Sequence, residues 1–278
     1  MDVLLCGVRG STPATGAEFV EFGGDTSCVA IPAEHGRWLI LDAGTGLANL
    51  AADLGDEALR GSILLTHLHW DHTHGLPFLA NADHPDAEVD VWLPAPPGDD
   101  PAEVLASAMS PPHFPIGPGD LRGRWRYHAA GPGRWEVEGF SITAAEVCHK
   151  GGRTLGYRVD DGESTVAYLP DHAPRLATAE QRGAAMGLAD GADVLLHGGG
   201  FLAADREMAD AYGHATIDDA VELAEAAGAR QLVIVHHSPW RTDKALAAIE
   251  REMQPRATAL SIGLGRQGQR VASCAVRS

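Results

Sequence analysis

Between Leu64 and His74 the chain reads LLTHLHWDHTH: an apolar run ends, and His67, His69, Asp71 and His72 follow at once in an H-x-H-x-D-H pattern. Imidazole and carboxylate are the nitrogen and oxygen donors that suit zinc and its neighbours. A tight turn after a strand can aim His67 and His69 at one ion, while Asp71 and His72, turned the other way, reach a second beside it. With His74 the segment holds five potential ligands in eight residues, which is electrostatically wasteful in an ordinary polar turn. The chemistry such a cluster supports is hydrolysis, because two ions about 3.5–4 Å apart can share a hydroxide, lower its pKa and clamp the attacked centre.

Four residues cannot close two sites. Further donors stand at the ends of other predicted strands: His149 closes SITAAEVCH, Asp171 closes STVAYLPD with a carboxylate able to bridge two cations, and His236 and His237 close QLVIVHH. Ligands at the ends of several strands are the expected design for a site on an α/β sheet edge.

The elements that must position these residues are legible as short apolar runs. MDVLLCGVRGS reads as the first strand, and Trp38–Leu41, Ile63–Leu65, Val89–Leu93, Val194–Leu196 and Leu232–Val235 read as buried strands. Arg124–His128, Ser141–Val147, Leu155–Val159 and Thr165–Leu169 read as strands of an antiparallel type. The clearest helix follows Thr216, where Ile217, Ala220, Val221 and Ala224 share a face and Thr216 with Asp219 makes a capping box. Helices are also expected near Ala102–Met109, Thr178–Leu188 and Asp243–Arg251. Strands mixed with helices along the whole length predict one layered α/β domain spanning 1–278, with a Pro/Gly-rich lid or edge excursion at about 94–133.

Bulk properties exclude several function classes. At 278 residues and 45% hydrophobic content the chain can bury a large core. No apolar run approaches the roughly 18 residues of a membrane span, and the amino terminus lacks a signal-peptide pattern, so a cytoplasmic protein with no membrane partner is expected. Cys6, Cys28, Cys148 and Cys274 form no C-x-x-C pair and read as small buried residues of a reducing compartment, Cys148 as an inward-facing strand residue. With a net charge of −17 and only two lysines, Lys150 and Lys244, a long nucleic acid is a poor partner, since phosphate neutralisation dominates such binding. A small anionic substrate remains compatible, because two divalent cations would dominate the local field.

The order H-x-H-x-D-H, then His149, Asp171 and His236, resembles the metallo-β-lactamase fold superfamily, whose hydrolases pack two mixed sheets between helices as an αββα sandwich. GVRGSTP, FGGDTSCV, LDAGTGL, MSPPHFPI, GGRTLGYRV and GHAT extend the resemblance over nearly the whole chain, toward the phosphodiesterase-type branch that includes ribonuclease Z and phosphoribosyl cyclic phosphate phosphodiesterase. The resemblance implies a first divalent ion on His67, His69, His149 and Asp171, and a second on Asp71, His72, Asp171 and His236. Zinc is the implied metal, and the donors also accept manganese or iron. The family motif favours His236 over His237 as ligand, leaving His237 beside the ligands or in the pocket. Asp71 would orient the nucleophile, and His214, in GHAT, would donate a proton to the leaving oxygen. The branch often forms dimers, so a homodimer is open.

Departures from the pattern bear on function. Gly198, within HGGGF, stands where relatives carry an acid that in ribonuclease Z supports the proton-donating histidine. Asp25 replaces the usual Asn of GGNTSC, either altering the charge near the metals or capping a turn. Only 21 residues, 150–170, separate His149 from Asp171, leaving no room for the tRNA-gripping insertion of tRNA-processing members. His74 and His172 flank ligands, His113 lies in the excursion, within whose reach the pocket is expected, and Lys150, Arg153 and Arg175 are the cations nearest in sequence to the ligands. These readings converge on a dinuclear metal-dependent phosphodiesterase acting on a small or cyclic phosphodiester. Two alternatives are hydrolysis of a lactone, thioester or amide on the same metal pair, and a catalytically degenerate metal-binding module.

Overall fold

The computed structural model describes residues 1–253 and 260–273, so Cys274 lies outside the described residues. The chain first lays down β1 (Asp2–Gly7), β2 (Cys28–Pro32), β3 (Trp38–Leu41), β4 (Arg60–Leu64), β5 (Glu88–Leu93) and β6 (Arg124–Ala129). It continues with β7 (Gly133–Val137), β8 (Phe140–Val147), β9 (Thr154–Asp160), β10 (Thr165–Leu169), β11 (Val194–Gly198), β12 (Gln231–Val235) and β13 (Ser261–Leu264), and returns with β14 (Arg270–Ala272). Between the strands run α1 (Ala51–Leu54), α2 (Trp70–Thr73), α3 (Pro101–Ala106), α4 (Ala179–Ala189), α5 (Arg206–Tyr212), α6 (Ile217–Ala226) and α7 (Asp243–Met253).

The strands build two seven-stranded sheets, β14-β1-β2-β3-β4-β5-β6 and β13-β12-β11-β10-β9-β8-β7. Both are mixed: β1 to β3 and β7 to β10 pair antiparallel, while β3 to β6 and β10 to β13 pair parallel. Alternation along single strands explains the layers. Val166 and Tyr168 of β10 enter the core between the sheets, whereas Ala167 and Leu169 pack with α4 and α6 residues. On the first sheet Leu39 and Leu41 face inward, and Ile40 packs outward with Leu47, Leu50 and Leu54. Strands buried on both faces read as unbroken apolar runs, and each such side chain contributes about 1.5–3 kcal/mol through burial. The result is the αββα sandwich that the resemblance implied.

Helix α6 forms as its sequence predicts. Thr216 Oγ1 accepts from Asp219 N at 3.3 Å and Asp219 Oδ2 accepts from Thr216 N at 2.9 Å, while Ile217, Ala220, Val221 and Ala224 are buried. One expectation is corrected. The strand at Arg124–His128 is not of an antiparallel type: β6 runs parallel to β5, because residues 94–123 act as a crossover that returns the chain to the same end of the sheet. Of the two forms expected for the excursion, lid or edge, it takes the edge: β6 is the outermost strand of its sheet, and nothing between 94 and 133 lines the cavity described below. No helix of the described residues is long and apolar enough to cross a membrane.

Candidate metal centre

Parallel strands deliver the donors to one place. Asp42 follows β3 directly, His67 comes three residues after β4, Asp171 two after β10 and His236 directly after β12. His149 lies two residues beyond the end of β8, and Asp71 and His72 sit on the single turn of α2. Asp42, His236 and Ser11 hold positive φ of 60°, 58° and 66°. Such left-handed residues cost about 1–3 kcal/mol each and persist where the surroundings over-determine them.

The side chains converge as groups able to hold cations: His67 with His69 and His149, His67 with His72 and Asp171, and Asp71 with His72 and His236. His67 Nε2, His72 Nε2 and both Asp171 carboxylate oxygens are buried without a hydrogen-bond partner. They are nevertheless close: His72 Nε2 stands 2.8 Å and His236 Nε2 3.2 Å from Asp171 Oδ2, off the line of a hydrogen bond. Unpaired buried polar atoms cost about 1–3 kcal/mol each, so nitrogens and oxygens facing a common point fit divalent cations between them. The donor set, imidazole plus carboxylate, is also the right one for zinc or its neighbours.

The opposite ring edges are tied down, which fixes the tautomers. His72 Nδ1 donates to Asp42 Oδ2 at 2.7 Å, His149 Nδ1 donates to the Gly213 carbonyl at 2.7 Å, and His67 Nδ1 meets Thr66 Oγ1 at 3.0 Å. Asp42, fully buried, also accepts from Thr66 N at 2.7 Å and from the Tyr168 hydroxyl at 3.0 Å. Asp71 is held by Ser11 N at 2.6 Å and by His236 Nε2 at 3.1 Å. The Ser11 loop is docked on the His236 segment through Gly10 N to His237 O and His237 N to Val8 O. A side chain at Gly10 would overlap the His236 ring, so glycine is required by that close approach.

Charge and burial pull against each other here. Burial drives the His67 pKa well below its ordinary value, helped by neighbouring histidines that repel a second proton. Burial also opposes ionisation of Asp171 and Asp71, but facing imidazoles outweigh it and hold both carboxyls below the usual range. For His72 the burial penalty is overcome by Asp71, Asp42 and Asp171, which raise its pKa. His214 Nδ1 lies 3.0 Å from Asp171 Oδ1, and its ring tilts over those of His149 and His236.

The structure brings His67, His69, Asp71, His72, His149, Asp171, His236 and His214 together, and leaves other candidates out. His237 is turned away, its Nε2 donating to Gly265 O at 2.9 Å while burial presses its pKa to about 4. His74 is exposed and stacks on Trp70. His172 pairs with His197, Nδ1 to Nε2 at 3.1 Å. His113 is exposed and lies outside the cavity lining. Cys148 is not an inward strand residue: β8 ends at Val147, and Cys148 is half-buried with a thiol pKa raised by burial. Of the nearby cations only Lys150 lines the cavity; Arg153 pairs with Glu146 and Arg175 with Asp219. Asp25 accepts from Thr45, Asn49 and Gln267, away from the cluster. Asp42, Thr66, Tyr168 and Ser11 are the residues that sequence reasoning missed. GVRGSTP, LDAGTGL, STVAYLPD and the Thr preceding His67 contain them, and none of these segments shows which histidine the carboxylate supports.

The donors open into a cavity of about 900 Å³ lined also by Phe201, Trp70, Trp240, Met208 and Tyr212. A Cβ at Gly198 would overlap the carbonyl oxygen of Pro170, the residue before Asp171, so an acid has no room there with the backbone as it stands.

Comparison with known proteins agrees with this architecture. The ribonuclease Z of Nocardia farcinica is 29% identical over 252 residues, covering 73% of this chain and 79% of that protein. The metallo-beta-lactamase fold protein YhfI from Bacillus subtilis superposes with a TM-score of 0.71 at 20% identity, covering 98% of this chain and 99% of the other. A diphosphatase from the PhnP family superposes with a TM-score of 0.68 at 17% identity, covering 98% and 97%. The model of the beta-lactamase superfamily domain matches residues 37–237, a span that contains Asp42 and every residue of the histidine–carboxylate cluster, and the chain belongs to that superfamily.

Proposed function

We propose that this metal-dependent hydrolase is a dinuclear phosphodiesterase acting on a small phosphodiester. The observation that carries the reading is the gathering of buried imidazoles about Asp171, whose two oxygens, like His67 Nε2 and His72 Nε2, have no hydrogen-bond partner. In it His67, His69, His149 and Asp171 would hold one ion, and Asp71, His72, Asp171 and His236 would hold the other. Zinc suits the donors, as manganese or iron would. Two such ions acidify water and neutralise charge at the attacked centre.

The chain's own residues do the rest. Asp71, fixed by Ser11 N and His236, orients the nucleophile. His214 donates a proton to the leaving oxygen, and its Nδ1 lies 3.0 Å from Asp171 Oδ1. Similarity to a ribonuclease Z over most of the chain supports phosphodiester chemistry. A small substrate is favoured by the net charge of −17 and by a cavity with Lys150 as its one lining lysine or arginine among the described residues. The same charge argues against a long RNA. Residues 150–170 form β9, β10 and their connections, without a protruding arm.

The test is hydrolysis of a chromogenic phosphodiester by zinc- or manganese-loaded protein, with Asp71→Ala as control. Turnover by the parent and none by the variant is expected. Absence of turnover with two ions bound per chain would overturn the phosphodiester reading, and lactone and thioester substrates would follow.

A further inference from the structure

Among the described residues seven large apolar side chains are exposed, and four of them, Trp70, Met208, Tyr212 and Trp240, line the cavity that holds the histidine–carboxylate cluster. They come from separate segments: Trp70 opens α2, Met208 and Tyr212 lie on α5, and Trp240 follows β12. Trp70 is 67% exposed and Trp240 55%. Large rings left in water beside a reactive cluster are the apolar surface that a bound small molecule would desolvate.

Phe201 joins this wall to the chemistry. Its ring stacks on His214 at 5.6 Å and meets Trp240 edge-on at 5.8 Å, so aromatic surface runs from the cluster outward without a break. On the other side Trp70 is backed by His74, stacked at 5.5 Å, which steadies the ring. Charge on the wall is scarce. Lys150 Nζ donates to the Ala211 carbonyl at 2.7 Å, and no arginine of the described residues lines the cavity. A second anionic group on a substrate would therefore meet apolar rings on a strongly acidic molecule.

We propose that the cavity selects a monoanionic substrate whose non-reacting substituent is an uncharged aromatic ring, seated against Trp70, Trp240 and Tyr212 while the ester lies at Asp71 and His214. This rests on the hydrolase reading above and names its substrate class. Ring area then sets specificity among monoanions, and a second charge is selected against.

Three S-ethyl phosphorothiolate diesters, carrying methyl, phenyl or carboxymethyl on the remaining oxygen, test this with zinc-loaded protein when ethanethiol release is followed for all three and phenol release is measured beside it for the phenyl compound. The phenyl compound should exceed the methyl in kcat/KM by roughly tenfold to a hundredfold, mainly through KM, as expected for stacking on aromatic side chains. The carboxymethyl compound should fall below the methyl. Trp70→Ala and Trp240→Ala should shrink the phenyl-to-methyl ratio, and Trp240→Phe should keep most of it. Tryptophan emission supplies a second readout, with methyl phenylphosphonate binding at least about tenfold more tightly than methyl methylphosphonate. Tighter phenylphosphonate binding without turnover of any diester would support the ring site and overturn the phosphodiester reading. Turnover of methyl and phenyl diesters at equal kcat/KM, with equal phosphonate binding, would overturn the ring site and leave that reading standing. A concentration-dependent tryptophan emission in sedimenting dimers, without phenyl preference, would also overturn it, since a second copy would then cover the rings.

Discussion

Replacing Asp42 by Asn should weaken one metal site while leaving the backbone in place. Asn tolerates the φ of 60° at this position, so the substitution removes charge without adding strain. Asp42 Oδ1 accepts from Thr66 N at 2.7 Å, a buried backbone donor that needs an acceptor, so the amide oxygen is kept there. The new NH₂ then faces His72 Nδ1, at 2.7 Å from Oδ2, and the Tyr168 hydroxyl, at 3.0 Å. The hydroxyl can rotate to accept. His72 can accept only by moving its proton to Nε2, where it points at Asp171 and blocks the lone pair needed for a metal. Loss of such a supporting carboxylate weakens metal binding by about 10–100-fold, equivalent to roughly 1.4–2.7 kcal/mol. Titration against a chromophoric chelator should show one of two sites weakened by that factor, with the ion on His67, His69 and His149 retained. Metal-free Asp42→Asn should lose only about 1–3 kcal/mol in urea unfolding, the cost of leaving charged-group hydrogen bonds imperfect. Unchanged affinity at both sites would refute the tautomer argument, and equal weakening at both would show that Asp42 supports the whole cluster and not His72.

Further predictions follow from packing and charge. Gly198→Ala should destabilise the protein by about 1–3 kcal/mol in denaturant melts, because the added methyl overlaps Pro170 O. Gly198→Asp should lower phosphodiester turnover, and a variant as stable as the parent and more active would contradict this account. His197, fully buried, donates from Nδ1 to Gly198 O at 2.7 Å, and burial lowers its pKa to about 4. The unfolded state therefore takes up this proton first, so the contribution of His197 is constant above pH 6.5 and falls as the pH drops toward 4. The slope should be about 1.4 kcal/mol per pH unit per proton. It should be shallower by that amount in His197→Asn, and identical slopes would rule out the group. Removing metal with a chelator should lower the melting temperature reversibly, by about 2.7 kcal/mol of stability if the ion was present at a hundredfold its dissociation constant. A melt indifferent to chelator and to added zinc would argue against any tight site.

Much of this protein was determined locally, by the sequence itself. Period-two alternation in β8 and β9, unbroken apolar runs in β3, β11 and β12, and the Thr216–Asp219 capping box each specify an element through contacts within a few residues. The H-x-H-x-D-H segment likewise declares metal chemistry, because so many donors have no other use in one turn. The parallel placement of β6 was not legible, since pairing direction depends on where a 30-residue crossover, 94–123, returns the chain. The choice between His236 and His237 depended on which ring a φ of 58° turns toward Asp71 and which reaches Gly265. Asp42 became a partner of His72 only when β3 and β4 aligned in parallel, bringing residues 30 apart to 2.7 Å. The aromatic wall of Trp70, Phe201, Tyr212 and Trp240 is scattered over 171 positions, 70–240, and no spacing rule gathers it. Local preference acts over a turn or a strand, whereas a site is assembled from the ends of strands that only the packed sheets bring to one edge.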